Sequence, residues 1–477
     1  MKRMIWALAL ALTACGGQPA TQTRPAASDE MNVEAHVQLT MDEGAPLTDQ
    51  GRLVFAWIPM EMAQVWLAQG RPPAASLMTL IAHTQTITVA PDKLLQGHTA
   101  HLSLPSDARN AHLMALLEMR GGFWGTLLSG GPLMALSKAP LSEGAPTLTL
   151  HARAPKVRKP TPHCEGPRFR PLVLGPEPGA RACVHLPKGY TEEEARYPVV
   201  YLLPGLTGDD MTRFHGSGFT DQMDALTTKI GQKVILVGVN TRSAAGSAYA
   251  RPNQPGGPLP YLDTLVKTVD DTFRTVPHSK GRILMGQSTG GFNAISVALI
   301  WPGVFGAVGA SGPDGLDLRS WLLKPDGTFE EQWFAWLRLE AALTGPGQFV
   351  SYAVAWSPDA EGKPRWPVDP QTGAVNPEVM ALWMAHNPTG IVQTPTGQKA
   401  MRDLEGRIYL GVARGDEFDL YAPTQTFADQ LSALGIEHTL KVDDSSHFDA
   451  NDRLVKLIAL ALDALSGPQK STADATP

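Results

Sequence analysis

Ser288 stands in Gly286-Gln287-Ser288-Thr289-Gly290, with a glycine two residues away on either side. A serine hydroxyl attacks a carbonyl only when a base takes its proton, and it must project clear of the backbone to be reached. Paired glycines permit this, because backbones without Cβ atoms approach closely around a sharp turn. The pentapeptide alone is a weak signal, expected by chance on the order of a few tenths of the time in a Gly-rich chain of this length. Its context adds the weight. The apolar run Ile283-Leu284-Met285 precedes it and a helix-compatible stretch, Phe292 to Leu299, follows. Strand, turn and helix would present the serine above a sheet, near the positive end of the helix.

The base must come from a loop at the carboxyl end of the sheet. Three histidines follow Ser288: His386, His438 and His447. His386 precedes Asn387-Pro388 inside a Trp-rich stretch, and His438 sits in a strand pattern. His447 lies in the polar loop Asp443-Asp444-Ser445-Ser446-His447-Phe448, just after that strand, and is the candidate base. An imidazole that takes a proton needs a carboxylate on its other nitrogen to fix the tautomer. Arg414-Gly415-Asp416-Glu417-Phe418-Asp419 offers three, and one of Asp416, Glu417 and Asp419 should serve. An oxyanion needs a second donor besides the Thr289 N–H. The loop Pro204-Gly205-Leu206-Thr207-Gly208 can supply the N–H of Leu206.

These loops need a sheet to hold them. Tyr197 to Pro204, Lys233 to Val239, Gly281 to Gly286, Val304 to Gly309, Arg407 to Val412 and His438 to Val442 read as strands. Most are near-continuous apolar runs, as expected of strands buried on both faces. Leu262 to Phe273, Thr424 to Leu434 and Asp452 to Leu465 carry helical spacing. Alternating strands and helices imply an α/β fold with a mostly parallel sheet. Residues 312–401 are too long for a simple crossover and carry Trp321, Trp333, Trp336, Trp356, Trp366 and Trp383, so a cap-like insertion over the strand ends is expected.

The preceding residues read differently. Val33 to Leu39 alternates with period two, and Arg52 to Ile58, Thr84 to Val89, His101 to Leu104, His112 to Met119 and Thr147 to His151 continue a series of short strands. A sandwich of about seven strands is expected over residues 31–155. Among its histidines, His36, His83, His98 and His101 have no ligand spacing. Residues 155–171, rich in Pro and basic residues, read as a linker, and residues 156–468 as the catalytic domain. Residues 15–30 and 469–477 have the composition of disordered segments.

Composition bounds the rest. The chain has 477 residues, 43% hydrophobic and 18% charged, with a formal charge of −6, so nucleic acid is not an expected partner. The run Lys156-Val157-Arg158-Lys159 reads as solvated linker. Lys2-Arg3, the apolar Met4 to Leu12 and Leu12-Thr13-Ala14-Cys15 resemble a bacterial lipoprotein signal over residues 1–14, with Cys15 lipidated. The resemblance implies a lipid-anchored protein of the cell envelope, with Gly16 favouring the outer membrane. Cys164 and Cys183 are the remaining pair, read as a disulfide in an exported protein.

Tyr201 to Gly208, Ser288 to Gly291, Asp416-Glu417-Phe418 and His447 together resemble the esterase family of α/β-hydrolases. That family includes esterase D and S-formylglutathione hydrolases, feruloyl and siderophore esterases and the antigen 85 mycolyltransferases. The likeness covers about residues 180 to 465. It implies the α/β-hydrolase fold, a small-molecule, glycan or lipid ester as substrate, and no metal or organic cofactor. The family pattern of Gly, two residues and Asp-x-Phe supports Asp416; Ala413 replaces that Gly, which leaves Asp419 as the next choice. Thr289 stands where Met is frequent, and Pro204 replaces the His or Asp that often precedes the oxyanion Gly. Ser247-Ala248-Tyr249 resembles the loop bordering the acyl site, so Tyr249, with Trp321 of the insertion, is expected to touch substrate. Arg274 and Arg282 are read as structural. The leading expectation is ester hydrolysis through an acyl-enzyme. Acyl transfer to a sugar or lipid hydroxyl uses the same groups, and a surface binding protein that has lost turnover is the reading from a different class.

Overall fold

The computed structural model describes residues 30–41, 51–69, 84–89, 91–119, 134–152, 164–177, 179–215, 218–252, 256–342 and 346–466. The proposed signal, Cys15, His83, the basic run at 156–159 and the tail at 469–477 lie outside these residues.

Among the described residues, seven strands precede the catalytic unit: β1 Glu30–Met41, β2 Gly51–Ile58, β3 Thr84–Val89, β4 His98–Pro105, β5 His112–Met119, β6 Met134–Leu136 and β7 Thr147–Ala152. They form two sheets, ordered β4-β1-β7 and β3-β2-β5-β6. Alternate residues of β1, β4 and β7, including Val37, Leu39, Leu102 and Leu150, meet Leu53, Phe55, Leu113 and Leu117 in one buried cluster. The intervening residues of β2 and β5, Val54, Ala56, Ile58, Met114 and Leu116, are also buried and join the core of the catalytic unit with Ala63 and Trp66. Burial on both faces explains why these two strands read as unbroken apolar runs.

The catalytic unit is built on an eight-stranded sheet of β8 Phe169–Val173, β9 Arg181–His185, β10 Val199–Leu203, β11 Ile235–Val239, β14 Arg282–Gln287, β15 Ala307–Ser311, β16 Ile408–Ala413 and β17 Thr439–Asp443. The short pair β12 Arg242–Ser243 and β13 Gly246–Ser247 stands apart. The order is β17-β16-β15-β14-β10-β11-β9-β8, with β9 antiparallel to both of its neighbours and the remaining pairs parallel. Successive residues of each strand enter opposite faces. Val199, Tyr201, Leu203 and Leu284 pack with helices Leu262–Thr272 and Thr289–Ile300. Val200, Leu202, Ile283 and Met285 pack with Phe219–Ile230 and Ala450–Ser466. This is the α/β-hydrolase arrangement.

Part of the expected linker is sheet instead. Phe169–Val173 forms edge strand β8, with Pro171 opposite Cys183. An edge strand tolerates a residue without an N–H, which is how a Pro-rich segment enters the sheet. Cys164 is bonded to Cys183 of β9, tying the segment before β8 to the strand beside it.

Residues 312–401 form helices Leu318–Leu322, Glu331–Ala342, Gln348–Trp356, Pro377–Met384, Pro388–Ile391 and Pro395–Arg402. Their core is aromatic: Trp356 stacks on Tyr352 with centroids 4.3 Å apart, and Trp333 lies 5.5 Å from Trp336. His386 stacks on Trp356, and burial lowers its pKa to about 4.

Candidate active site

Ser288 joins β14 to the helix Thr289–Ile300 with φ 54° and ψ −126°. A non-glycine residue held there costs about 1–3 kcal/mol, which the surrounding packing must offset. The flanking glycines are sterically required. A Cβ on Gly286 would overlap the carbonyl of Gly290, and one on Gly290 would overlap the carbonyl of Leu203. Thr289 opens the helix, so its N–H has no intrahelical acceptor. Across the cleft, Gly205 sits close enough that a Cβ there would lie 3.4 Å from the Ser288 Cβ. The adjoining Thr207 has φ 60°, and its N–H donates to Ser247 Oγ at 3.0 Å, which fixes the loop carrying Leu206.

His447 lies in the loop after β17, 4% exposed, and its Nδ1 donates to Asp416 Oδ2 at 2.9 Å. Asp416 follows β16, and its other oxygen accepts the Phe418 N–H at 3.0 Å. Asp419 faces elsewhere and accepts from Gln332 Nε2 at 2.8 Å. Glu417 accepts the backbone N–H of His447 at 2.7 Å. Arg453 braces the same loop, donating to both oxygens of Asp443 at 2.9 Å and to the Ser446 carbonyl at 3.2 Å. The Arg453 guanidinium holds the Asp443 pKa down at about 2. Gly312 leaves room for the pair, since a Cβ there would lie 3.1 Å from the His447 ring.

Ser288 and His447 line one cavity of about 250 Å³ with Leu206, Asp314, Trp321, Trp336 and Gln348, among others. The Ser288 hydroxyl does not bond the histidine in this structure. It donates to Asp314 Oδ1 at 3.2 Å.

Residues 179–388 match the family model described as Putative esterase. Over these residues the chain is similar to that family. This is a carboxylesterase-type hydrolase region, consistent with the sheet and the elbow it contains. The chain is similar to an S-formylglutathione hydrolase from Staphylococcus aureus (15% identity, 62% of this chain and 98% of that one, TM-score 0.40). It is also similar to a ferulic acid esterase from Anaeromyces mucronatus (14%, 64% and 94%, 0.35) and to MPT51 of Mycobacterium tuberculosis (15%, 63% and 98%, 0.39). No curated protein sequence matches the chain significantly.

Within the esterase region one expected substrate contact stands elsewhere. Tyr249 is 1% exposed and lies behind the cavity wall, with its hydroxyl donating to Asp314 Oδ2 at 2.6 Å. The loop after β13 turns inward because Asn293 holds it on both sides, accepting from Ala250 N at 2.8 Å and donating to the Ala248 carbonyl at 2.9 Å. Trp321 does line the cavity, and its Nε1 donates to the Phe418 carbonyl at 3.0 Å. Arg282 pairs with Asp270, and Arg274 lies over the Tyr190 ring at 4.0 Å, both away from the cavity. The residues not foreseen are Asp314 and Gln348. Asp314 had a signal: a carboxylate in the turn after the strand beside the nucleophile strand. Gln348 had none, since only the packed insertion brings it to the site.

The insertion carries its own buried acid. Glu340 accepts from Trp336 Nε1 at 2.5 Å and from the backbone N–H groups of Gln348, Phe349 and Val350 at 2.8, 2.7 and 3.1 Å. It thereby caps the helix that delivers Gln348 to the cavity. Burial pushes its pKa up to about 7 from 4.5, against the pull of those donors. A carboxyl raised in the folded state contributes stability below its unfolded pKa, and that contribution is lost as pH rises through the folded pKa. Wild-type unfolding free energy is therefore expected to fall between pH 5 and 8, by up to roughly 3 kcal/mol from this group. Urea titrations of wild type and Glu340→Gln across that range check it; parallel pH profiles would contradict the assignment.

Proposed function

We propose that the protein is a serine ester hydrolase in which Ser288 is the nucleophile, His447 the base and Asp416 the acid that orients the imidazole. The observation that carries this reading is the buried Nδ1–carboxylate hydrogen bond of His447 and Asp416 at 2.9 Å, opening on the cavity that Ser288 enters from its turn. Asp416 fixes the proton on Nδ1, so Nε2 is left as the acceptor. Rotation about the Cα–Cβ bond of Ser288 carries its hydroxyl from Asp314 towards that nitrogen. Oγ then attacks the ester carbonyl while Nε2 takes the proton. The N–H groups of Leu206 and Thr289 hold the oxyanion. His447 returns the proton to the leaving alcohol, and repeats the cycle with water to release the acid. Pre-steady-state hydrolysis of p-nitrophenyl acetate tests it. A burst of about one nitrophenol per protein, absent in Ser288→Ala, is expected of an acyl-enzyme; turnover retained by the variant would refute the assignment.

The sequence Leu12-Thr13-Ala14-Cys15 supports a place for this enzyme at the cell envelope, held by lipid on Cys15. Metabolic labelling with a radioactive fatty acid should mark the wild type and not Cys15→Ser. Equal labelling of both would remove the anchor.

A further inference from the structure

Asp314 lies just past β15, next to the nucleophile strand, with 4% of its surface exposed. Its Oδ2 is fully engaged, accepting from Tyr249 O–H at 2.6 Å, Thr289 O–H at 2.9 Å and Gln348 Nε2–H at 2.8 Å. Gln348 also donates to the Tyr249 hydroxyl. Its Oδ1 has a single partner among the described residues, the Ser288 hydroxyl at 3.2 Å. Burying a carboxylate costs several kcal/mol unless it is hydrogen-bonded. Burial raises the pKa of this one, and the three donors on Oδ2 oppose the rise. A carboxylate clamped on one oxygen, with the other facing a reactive serine, is a built acceptor.

The reacting carbon defines what that acceptor meets. Once bonded to Ser288 Oγ, the carbon carries an oxyanion, a leaving oxygen and an acyl carbon. The oxyanion points to the Leu206 and Thr289 N–H groups. The leaving oxygen points to His447, which must protonate it. The acyl carbon is left the remaining part of the cavity, whose lining includes Asp314 and Gln348. When Oγ turns to His447 it vacates a position 3.2 Å from Oδ1, and a donor on that acyl carbon takes that position.

Building on the ester hydrolysis proposed above, we infer that Asp314 selects esters whose acyl part bears a hydrogen-bond donor, a hydroxyl or an ammonium, on the carbon next to the reacting carbonyl. That donor replaces the Ser288 hydroxyl on Oδ1 and returns the hydroxyl to His447. An acyl group without a donor leaves the buried Oδ1 either holding the nucleophile or unpaired, and both slow the attack. Sites built to hydrogen-bond a substrate group discriminate strongly against analogues that lack it.

The test compares kcat/KM for p-nitrophenyl hydroxyacetate, aminoacetate, fluoroacetate and acetate, each divided by that ester's own hydroxide-catalysed rate. Fluorine approximates a hydroxyl in size and electron withdrawal but donates no hydrogen bond. In the wild type, hydroxyacetate or aminoacetate is expected to exceed fluoroacetate by at least about tenfold. The better of the two tells whether the natural donor is neutral or cationic. In Asp314→Ala the same ratio should collapse to within about threefold of one. Equal normalised rates in the wild type overturn the inference and leave ester hydrolysis standing, and this comparison suffices even if the variant does not fold. A preference that survives in Asp314→Ala also overturns it. No turnover of any of the four by folded wild type removes both readings.

Discussion

Alanine at Ser288 is expected to lower kcat for any ester the protein cleaves by at least about 10⁴-fold, and alanine at His447 to lower it by a similar factor. The double variant should lose little more than either single one. Nucleophile and base act on one proton, so removing either leaves the other with nothing to do. The rate that remains would come from the oxyanion donors and from binding. KM should move far less than kcat, because neither side chain is needed to hold the ground state. Steady-state kinetics on the four proteins decide this. Additive losses would mean that the two residues serve separate steps, and a Ser288→Ala loss below about tenfold would leave another nucleophile to be found.

Asp416→Asn should cost about 10³- to 10⁴-fold in kcat with little effect on folding, because an amide can hold the ring in place yet favours the wrong tautomer. Asp419→Asn supplies the control. That carboxylate meets Gln332 on the surface rather than His447, so a change within about threefold is expected. If the two variants behaved alike, the hydrogen bond of His447 to Asp416 would have no special part in turnover.

Much of the scaffold was readable from local pattern. Strands β10, β11, β14 and β16 are buried on both faces, so their apolar runs are continuous and bounded by turn residues. The turn around Ser288 was readable because its two glycines flank the serine in the sequence, although Gly290 answers to the distant backbone of Leu203. The loops of Asp416 and His447 could be placed because they directly follow strands β16 and β17. Harder features depend on partners far away in the chain. Strand β8 looks like a linker because its Pro and Arg residues suit an exposed edge, and its pairing with β9 is tertiary. Tyr249 was assigned to the cavity by resemblance, and nothing local reveals that Asn293 turns its loop inward. Gln348 reaches the site through a helix capped by Glu340 and packed among tryptophans, an arrangement that no periodicity encodes. The resemblance favoured Asp416 but left Asp419 as the next choice, because their partners are tertiary: Asp419 accepts from Gln332 of the insertion and Asp416 from His447.

Asp314 changes how the resting site is pictured. Ser288 and His447 line one cavity, and the hydroxyl, which the proposed attack requires to rotate towards His447, bonds the Asp314 carboxylate in this structure. The hydroxyl and the imidazole therefore share a cavity without being engaged. Catalysis requires that rotation to be cheap on the timescale of turnover, which holds for a staggered serine side chain unless the carboxylate binds it too strongly.

The most direct measurement is covalent. Wild-type protein treated with a fluorophosphonate should gain the mass of one adduct, and peptide mapping should place it on Ser288. Labelling should be much slower in His447→Ala, because the hydroxyl then lacks its base. An adduct on a different residue, or none on folded protein, would contradict the account.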